Sequence, residues 1–405
     1  MVPTRRGLFF IGIGVVTYLL AQQSNVGWFY VADAFVWAVL LVNLALPRWT
    51  LWGLGVHRRL GSDRGAATEG LFEGDAVRFT LQVTNPGRVP RYFFSVADHC
   101  PLEAPDSQTK RALVGYVAPG SSVPWSYAAE CYQRGEYQFG PVRLECSAPF
   151  GLFRARRSVN APLRVLVYPQ VFDFAVARPR GELREGPTAP SPAQRIGEFR
   201  GAREYQPGDS LRQVHWKSSA RSGRLMVKEY DRSPESQTVL FLNAGHNAGT
   251  GKETTFEYGI KLAASIARAC YRSDNSFMMA PPGLGVRFPQ WRAALEYLAR
   301  LADGEGAPPE RALASLARAG RVIAIVAATD GEGLRAVRRL PADRLAAVVL
   351  LQGFDAEHEE AGVAAALSSA GVQVVTCVPG GIQQALDELA AAGSRGARQM
   401  VRVGS

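Results

Sequence analysis

The sequence predicts a multidomain α+β protein: an N-terminal transmembrane helical hairpin, an antiparallel β-sandwich, then a doubly wound α/β domain. Three patterns predict it. Two apolar runs fill the first 50 residues. Short segments with period-two alternation follow, punctuated by Gly and Pro. From Thr238 onward, continuous apolar runs alternate with amphipathic ones. The ranges are 1–50 for the hairpin (helices at about 8–22 and 27–46), 51–175 for the sandwich and 236–396 for the α/β domain. A linker and motif segment occupies 176–235, and 397–405 reads as a flexible tail.

In the hairpin, Leu8 to Leu20 is apolar or small throughout and follows Arg5 and Arg6. Gln22 to Asn25 reads as an uncharged turn, and Gly27 to Leu46 as a second run ended by Pro47 and Arg48. A helix of about twenty residues rises about 30 Å, the hydrocarbon thickness of a bilayer. A signal peptide is disfavoured, because no small-x-small site follows Leu20 and a second span comes almost at once. Arg5, Arg6, Arg48, Arg58 and Arg59 all fall on one side of such a hairpin, while the turn carries no charge. The positive-inside rule then puts the chain after residue 47 in the cytoplasm, anchored in the cell's inner (plasma) membrane by two spans. A charged Asp at mid-membrane costs roughly 2.5–3.5 kcal/mol. Asp33 lies nearer one end of its run, so reaching the headgroups is the favoured reading over pairing with the other helix.

In the sandwich range, Val77 to Val83 alternates strictly and Asn85-Pro86-Gly87 marks a turn. Tyr92 to Val96, Ala112 to Val117, Val123 to Ala129, Gly135 to Phe139, Val142 to Cys146 and Leu163 to Tyr168 are further expected strands. In the α/β range the expected strands are Thr238 to Leu242, Val322 to Ala327, Ala346 to Leu351 and Val372 to Val378. The expected helices are Phe256 to Tyr271, Trp291 to Leu301, Glu310 to Ala319, Glu359 to Ser369 and Ile382 to Ala392.

A chain of 405 residues is too long for one ordinary core. Its net charge of +10 suits anionic lipid, nucleic acid or a general arginine bias. With an anchor present lipid is the simplest partner, and no nucleic-acid module supports the second. Cys100, Cys131, Cys146, Cys270 and Cys377 are odd in number and widely spaced, with no CxxC, which suits a reducing compartment rather than a disulfide framework or zinc site.

The most distinctive stretch is Gly197 to Tyr230. It contains Arg203, Tyr205, Gly208, Asp209, Arg212, Trp216, Lys217, Ser219, Ala220, Arg221, Val227, Lys228 and Glu229 at spacings that resemble the signature of domain-of-unknown-function family 58. Pro149 to Phe153 matches that family's Pro-Phe-Gly-Leu-Phe segment. The resemblance implies a membrane hairpin, a β-rich region, the signature, and a von Willebrand factor type A-like domain. It also implies association with MoxR-type AAA+ ATPases and transglutaminase-like membrane proteins. A type A domain often holds Mg²⁺ through Asp-x-Ser-x-Ser and the Asp of Thr-Asp-Gly. Here the first segment is Asn243-Ala244-Gly245-His246-Asn247, and only Asp330 keeps its carboxylate. Asn243, Gly245, Asn247 and Asp330 are thus degenerate metal-site positions, and no metal or other cofactor is expected.

Within the signature, Arg203, Arg212, Arg221, Glu204, Asp209 and Glu229 suit an ion-pair network, with Trp216 anchored by burial against Lys217 and Arg221. The competing reading is a docking surface, since Arg and Trp are typical interface anchors. Asp209, His215 and Ser218 or Ser219 contain the residue types of a nucleophile set but no elbow pattern, and no P-loop is present. The expectation is therefore a non-enzymatic scaffold. A cytoplasmic-face hydrolase and a metal-dependent adhesion module are the alternatives.

Overall fold

The computed structural model describes residues 2–24, 26–61, 70–174, 199–204, 214–230, 238–243, 245–272, 277–280, 286–288, 290–304, 308–316, 321–341, 344–355 and 362–391. Of the expected linker and motif segment over 176–235, residues 176–198, 205–213 and 231–235 lie outside them, as does the tail over 397–405. The chain divides into two compact units, Met1–Tyr168 and Pro169–Ser405.

The first unit begins with β1 (Val2–Pro3), α1 (Arg5–Ser24) and α2 (Gly27–Leu51). Both helices are long and apolar enough to cross a membrane, and most of their large apolar side chains are exposed. Helix α1 runs through Gln22 to Ser24, so the expected four-residue turn is shorter. Asp33 is buried and accepts a hydrogen bond from Thr17 Oγ1 at 3.0 Å. It therefore pairs across the hairpin rather than reaching outward: a partner one helix away satisfies the carboxylate locally. Gly14 permits this close packing, since a Cβ there would meet the Trp37 ring at 3.3 Å.

Pro47 does not end α2, which continues to Leu51. Proline removes one intrahelical bond, but the following turn is held from outside. Arg91 donates to Trp49 O and stacks 4.3 Å from the Trp49 ring, and Arg157 donates to Leu51 O at 2.6 Å. Cations suit the exposed carbonyls of a helix C-terminus. At the other end, Thr4 Oγ1 accepts from Gly7 N, while Thr4 N donates to Leu152 O at 2.9 Å. Both ends of the hairpin are thus tied to the same β-rich region.

That region contains β2 (Gly55–Gly61), β3 (Leu71–Phe72), β4 (Ala76–Thr84), β5 (Arg91–His99), β6 (Thr109–Val117), β7 (Ser122–Glu130), β8 (Gly135–Phe139), β9 (Val142–Cys146), β10 (Phe153–Val159) and β11 (Leu163–Tyr168). The sheets run β1-β10-β9-β5-β6, β2-β4-β7 and β3-β11-β8. One core takes Val56, Leu81 and Val83 from the second sheet and Phe94, Val96, Leu144 and Ala155 from the first, so these two sheets face each other. A second core centres on Phe79, Phe139 and Val167. Strands β2 and β10 were not expected, because their charges mask the alternation. In β10 Ala155 is buried and Val159 packs partly against the same core, while Arg154 and Arg156 face out.

One charge expected at the membrane flank proves to be a core residue. Arg58 is buried, pairs with Asp98, and also donates to Ala161 O. It lies 4.6 Å from the Phe139 ring centroid. Asp98 further accepts from Tyr127 Oη at 2.6 Å. Arg58 therefore adds nothing to a membrane-flanking charge; Arg59 stays exposed.

The second unit opens its described part with β12 (Phe199–Glu204), α3 (Trp216–Ser222) and β13 (Met226–Tyr230). Then follow β14 (Thr238–Leu242), β15 (Gly249–Thr250), β16 (Glu253–Thr254), α4 (Thr255–Arg272), β17 (Phe277–Ala280), β18 (Val286–Arg287), α5 (Trp291–Arg300), α6 (Pro309–Leu316), β19 (Arg321–Ala327), α7 (Gly331–Arg338), β20 (Leu345–Leu351), α8 (Val363–Ser369), β21 (Val374–Cys377) and a last helix, α9, over 382–391. The main sheet is ordered β18-β17-β14-β19-β20-β21, parallel except for the β18 edge. The chain adds β17 and β18 on one side of β14 and β19, β20 and β21 on the other, so the switch point of this doubly wound sheet lies between β14 and β19. Strands β17 and β18 and helix α7 were not expected. Phe277 to Ala280 is short, and Gly331-Glu332-Gly333 is a weak helix start rescued by its cap.

Candidate functional site

The distinctive segment after the linker contains a strand pair with a helix between. Strands β12 and β13 pair antiparallel, setting Arg203 opposite Val227 and Ala202 opposite Lys228. Tyr205, Gly208, Asp209 and Arg212 lie outside the described residues, as do the side chains of Arg203, Lys228 and Glu229. The expected ion-pair network therefore falls outside them too.

Helix α3 is well specified locally. His215 caps it, its Nδ1 accepting from Ser218 N at 3.2 Å and meeting Ser218 Oγ at 2.6 Å. Ser219 Oγ donates to His215 O at 3.1 Å and accepts from Met226 N at 2.8 Å, clasping the helix to the start of β13. Gly223 closes the helix in the left-handed conformation, φ 68°. His215 and Ser218 thus do come together, but as a helix cap three residues long, and Ser219 serves as a structural clasp.

The opposite face of α3 is open. Trp216 is 70% exposed, and Lys217, Ala220 and Arg221 are exposed beside it. Spacings of four residues align Trp216 with Ala220 and Lys217 with Arg221 on one face. The expected burial of Trp216 is overturned: Ser218 and Ser219 take the inward face, so helical periodicity turns the tryptophan outward.

A second polar cluster sits at the β14–β19 switch point. Asn243 follows β14, and Thr329-Asp330 follows β19. Asp330 is only 4% exposed; it caps α7 by accepting from Gly333 N at 2.9 Å. Its other oxygen accepts from Asn243 Nδ2. The Asn243 amide is oriented by Gly245 N, which donates to Oδ1 at 3.1 Å. His246 Nε2 meets Thr329 Oγ1 at 2.6 Å, and Asn247 Nδ2 donates to Asp303 Oδ2 at 2.7 Å. Sequence patterning alone did not single out the His246–Thr329 and Asn247–Asp303 pairs, because each joins separate loops. These residues do not fit Mg²⁺: a hydrogen-bond donor, not an oxygen ligand, faces the Asp330 carboxylate.

Residues 201–282 match the family model for the protein of unknown function DUF58. The DUF58 match covers the signature together with β14, α4 and β17. Uncharacterized protein YeaD of Bacillus subtilis (strain 168) is 24% identical over 276 residues. That alignment covers 66% of this chain and 65% of the relative, so the chain spans just under two thirds of that protein. Among solved structures, beta-glucosidase 3B from Thermotoga neapolitana in complex with glucose gives a TM-score of 0.15 at 15% identity, over 28% of this chain and 16% of that one. The GH20 exo beta-N-acetylglucosaminidase from Vibrio harveyi in complex with N-acetylglucosamine gives 0.21 at 10% identity, over 84% and 75%. Scores this low carry no argument about fold or chemistry.

Proposed function

We propose that this chain is a membrane-anchored scaffold that binds a protein partner at the cytoplasmic face through the DUF58 signature helix. The observation that carries this reading is the open face of α3, which presents Trp216, Lys217 and Arg221 with no buried residue in the helix. Exposed Trp and Arg on a rigid element are what interface anchors require. The family resemblance supplies the partner class, a MoxR-type AAA+ ATPase, with a transglutaminase-like membrane protein as a further candidate.

Membrane anchoring is supported by α1 and α2, whose apolar side chains are largely exposed. Both ends of the hairpin attach to one β-rich region, so Arg5, Arg6, Arg48 and Arg59 share a side. By the positive-inside rule that side is cytoplasmic. The type A-like reading of the second unit is supported by a mainly parallel sheet with Asn243 and Thr329-Asp330-Gly331 side by side at its carboxyl edge. In this reading the edge is held by the Asn243 amide instead of a metal.

The test is gentle detergent purification from the native host with identification of co-purifying proteins. Trp216→Ala with Arg221→Glu leaves the fold intact, since neither residue is buried. Loss of an AAA+ ATPase from the variant supports docking at α3. Equal recovery with both proteins rules out this face as the docking surface.

A further inference from the structure

We infer that the first unit has a binding site for an anionic phospholipid headgroup, in a pocket at the foot of α1. The pocket holds about 320 Å³ and is lined by Val2, Pro3, Thr4, Arg5, Arg154 and Arg156. It rests on the membrane reading above and adds to it a specific lipid class.

The charge balance asks for an anion. Arg154 Nε lies 2.8 Å from Glu145 Oε1, and Arg156 Nε lies 3.0 Å from Glu145 Oε2. One carboxylate thus serves two guanidiniums, while Arg5 adds a third to the same pocket. The first turn of α1 contains no acidic residue. A phosphodiester suits this set, because guanidinium groups bind phosphate oxygens with paired N–H donors.

Strand register puts the pocket at the level of a membrane surface. Val2 pairs with Arg154, Ala155 with Cys146, Glu145 with Ser95, and Tyr92 with Tyr116. The start of β10, the end of β9, the start of β5 and the end of β6 therefore share one end of one sheet. Helix α2 ends against it, through Arg91 stacked on Trp49. This same end carries exposed aromatic rings. Tyr92 and Tyr116 pack with centroids 5.3 Å apart, Phe93 is 61% exposed, and Trp52 follows α2 in the open. Phe93 also holds a φ of 46°, a conformation uncommon for a bulky residue. Exposed aromatics at the ends of apolar helices are the pattern of a membrane–water interface. Basic pockets at that level bind anionic headgroups.

The experiment uses the full chain purified in mild detergent, with lipid retention read by native mass spectrometry. Phosphatidylglycerol is titrated against phosphatidylcholine. Wild type is expected to retain phosphatidylglycerol preferentially. Arg154→Gln with Arg156→Gln should lower that retention roughly tenfold, whereas Arg154→Lys with Arg156→Lys should keep most of it. Equal retention by wild type and the glutamine variant overturns the site. Displacement of the lipid by millimolar inorganic phosphate overturns the lipid assignment in favour of a soluble anion. Alkaline carbonate extraction of membranes separates the two readings: a chain that stays in the membrane without lipid preference refutes the pocket alone, and a chain that is extracted refutes both.

Discussion

The sandwich and the α/β domain each bury an aspartate, and they satisfy it in opposite ways. Asp98 is fully buried in the sandwich and meets the Arg58 guanidinium and the Tyr127 hydroxyl. Asp330 sits at a sheet edge, capping α7 and accepting from the Asn243 amide. No helix begins at Asp98, so a full positive charge is needed there. At Asp330 the α7 N-terminus supplies oriented N–H groups and a favourable dipole, and a neutral amide suffices. The comparison separates a carboxylate that holds a core together from one that caps a helix at a sheet edge.

The largest expected effect tests the first half. Asp98→Ala leaves the Arg58 charge buried without its partner and should destabilise the chain by about 3–5 kcal/mol, read as a lowered Tm by differential scanning fluorimetry in detergent. A loss no larger than that of an exposed substitution such as Asp387→Ala would break the contrast.

A smaller effect is expected at the edge. Asp330→Ala removes one cap and one amide partner, worth about 1–2 kcal/mol, with no change in Tm on adding Mg²⁺. Gly333→Ala should act similarly, because its Cβ would fall 2.1 Å from Asp330 Oδ2 and push the carboxylate away. A Mg²⁺-dependent rise in Tm that Asp330→Ala abolishes would show that the carboxylate binds metal after all.

A pH-dependent effect, absent near neutral pH, is shared by both regions. Burial pushes the Cys131 and Cys377 thiols up to about 12 from an ordinary value of 9.0. Burial, then the hydrogen bond to Asp98, also pushes the Tyr127 hydroxyl up. The folded state therefore keeps protons that the unfolded state releases. This contribution is complete below about pH 9 and is lost as pH rises from there toward 12, so stability should fall on the alkaline side. Iodoacetamide at pH 8 should label neither cysteine until the chain is unfolded; rapid labelling of either in the folded chain would refute its burial.

Much of the fold was legible in the sequence. Thr238 to Leu242 and Gly135 to Phe139 formed as read, because apolar run length and alternation report which face is covered. Strand β10 was hidden by its arginines and helix α7 by its glycines; only the pairing with β9 and the Asp330 cap revealed them. For the site, the signature residues were named through the family resemblance, but the outward face of Trp216 needed the clasp of Ser219 on β13 to fix the rotation of α3.

The sequence by itself determined the two apolar helices and the order of β-rich and α/β regions. These follow from local composition and periodicity, which a chain carries wherever it folds. Tertiary structure alone decided that Arg58 is a core ion-pair partner rather than a membrane-flanking charge, that Asp33 meets Thr17, and that Arg5 and Arg154 share a pocket. Each of these depends on which distant groups meet, and Coulomb and hydrogen-bond energies are set by those distances and by burial, which one-dimensional spacing does not encode.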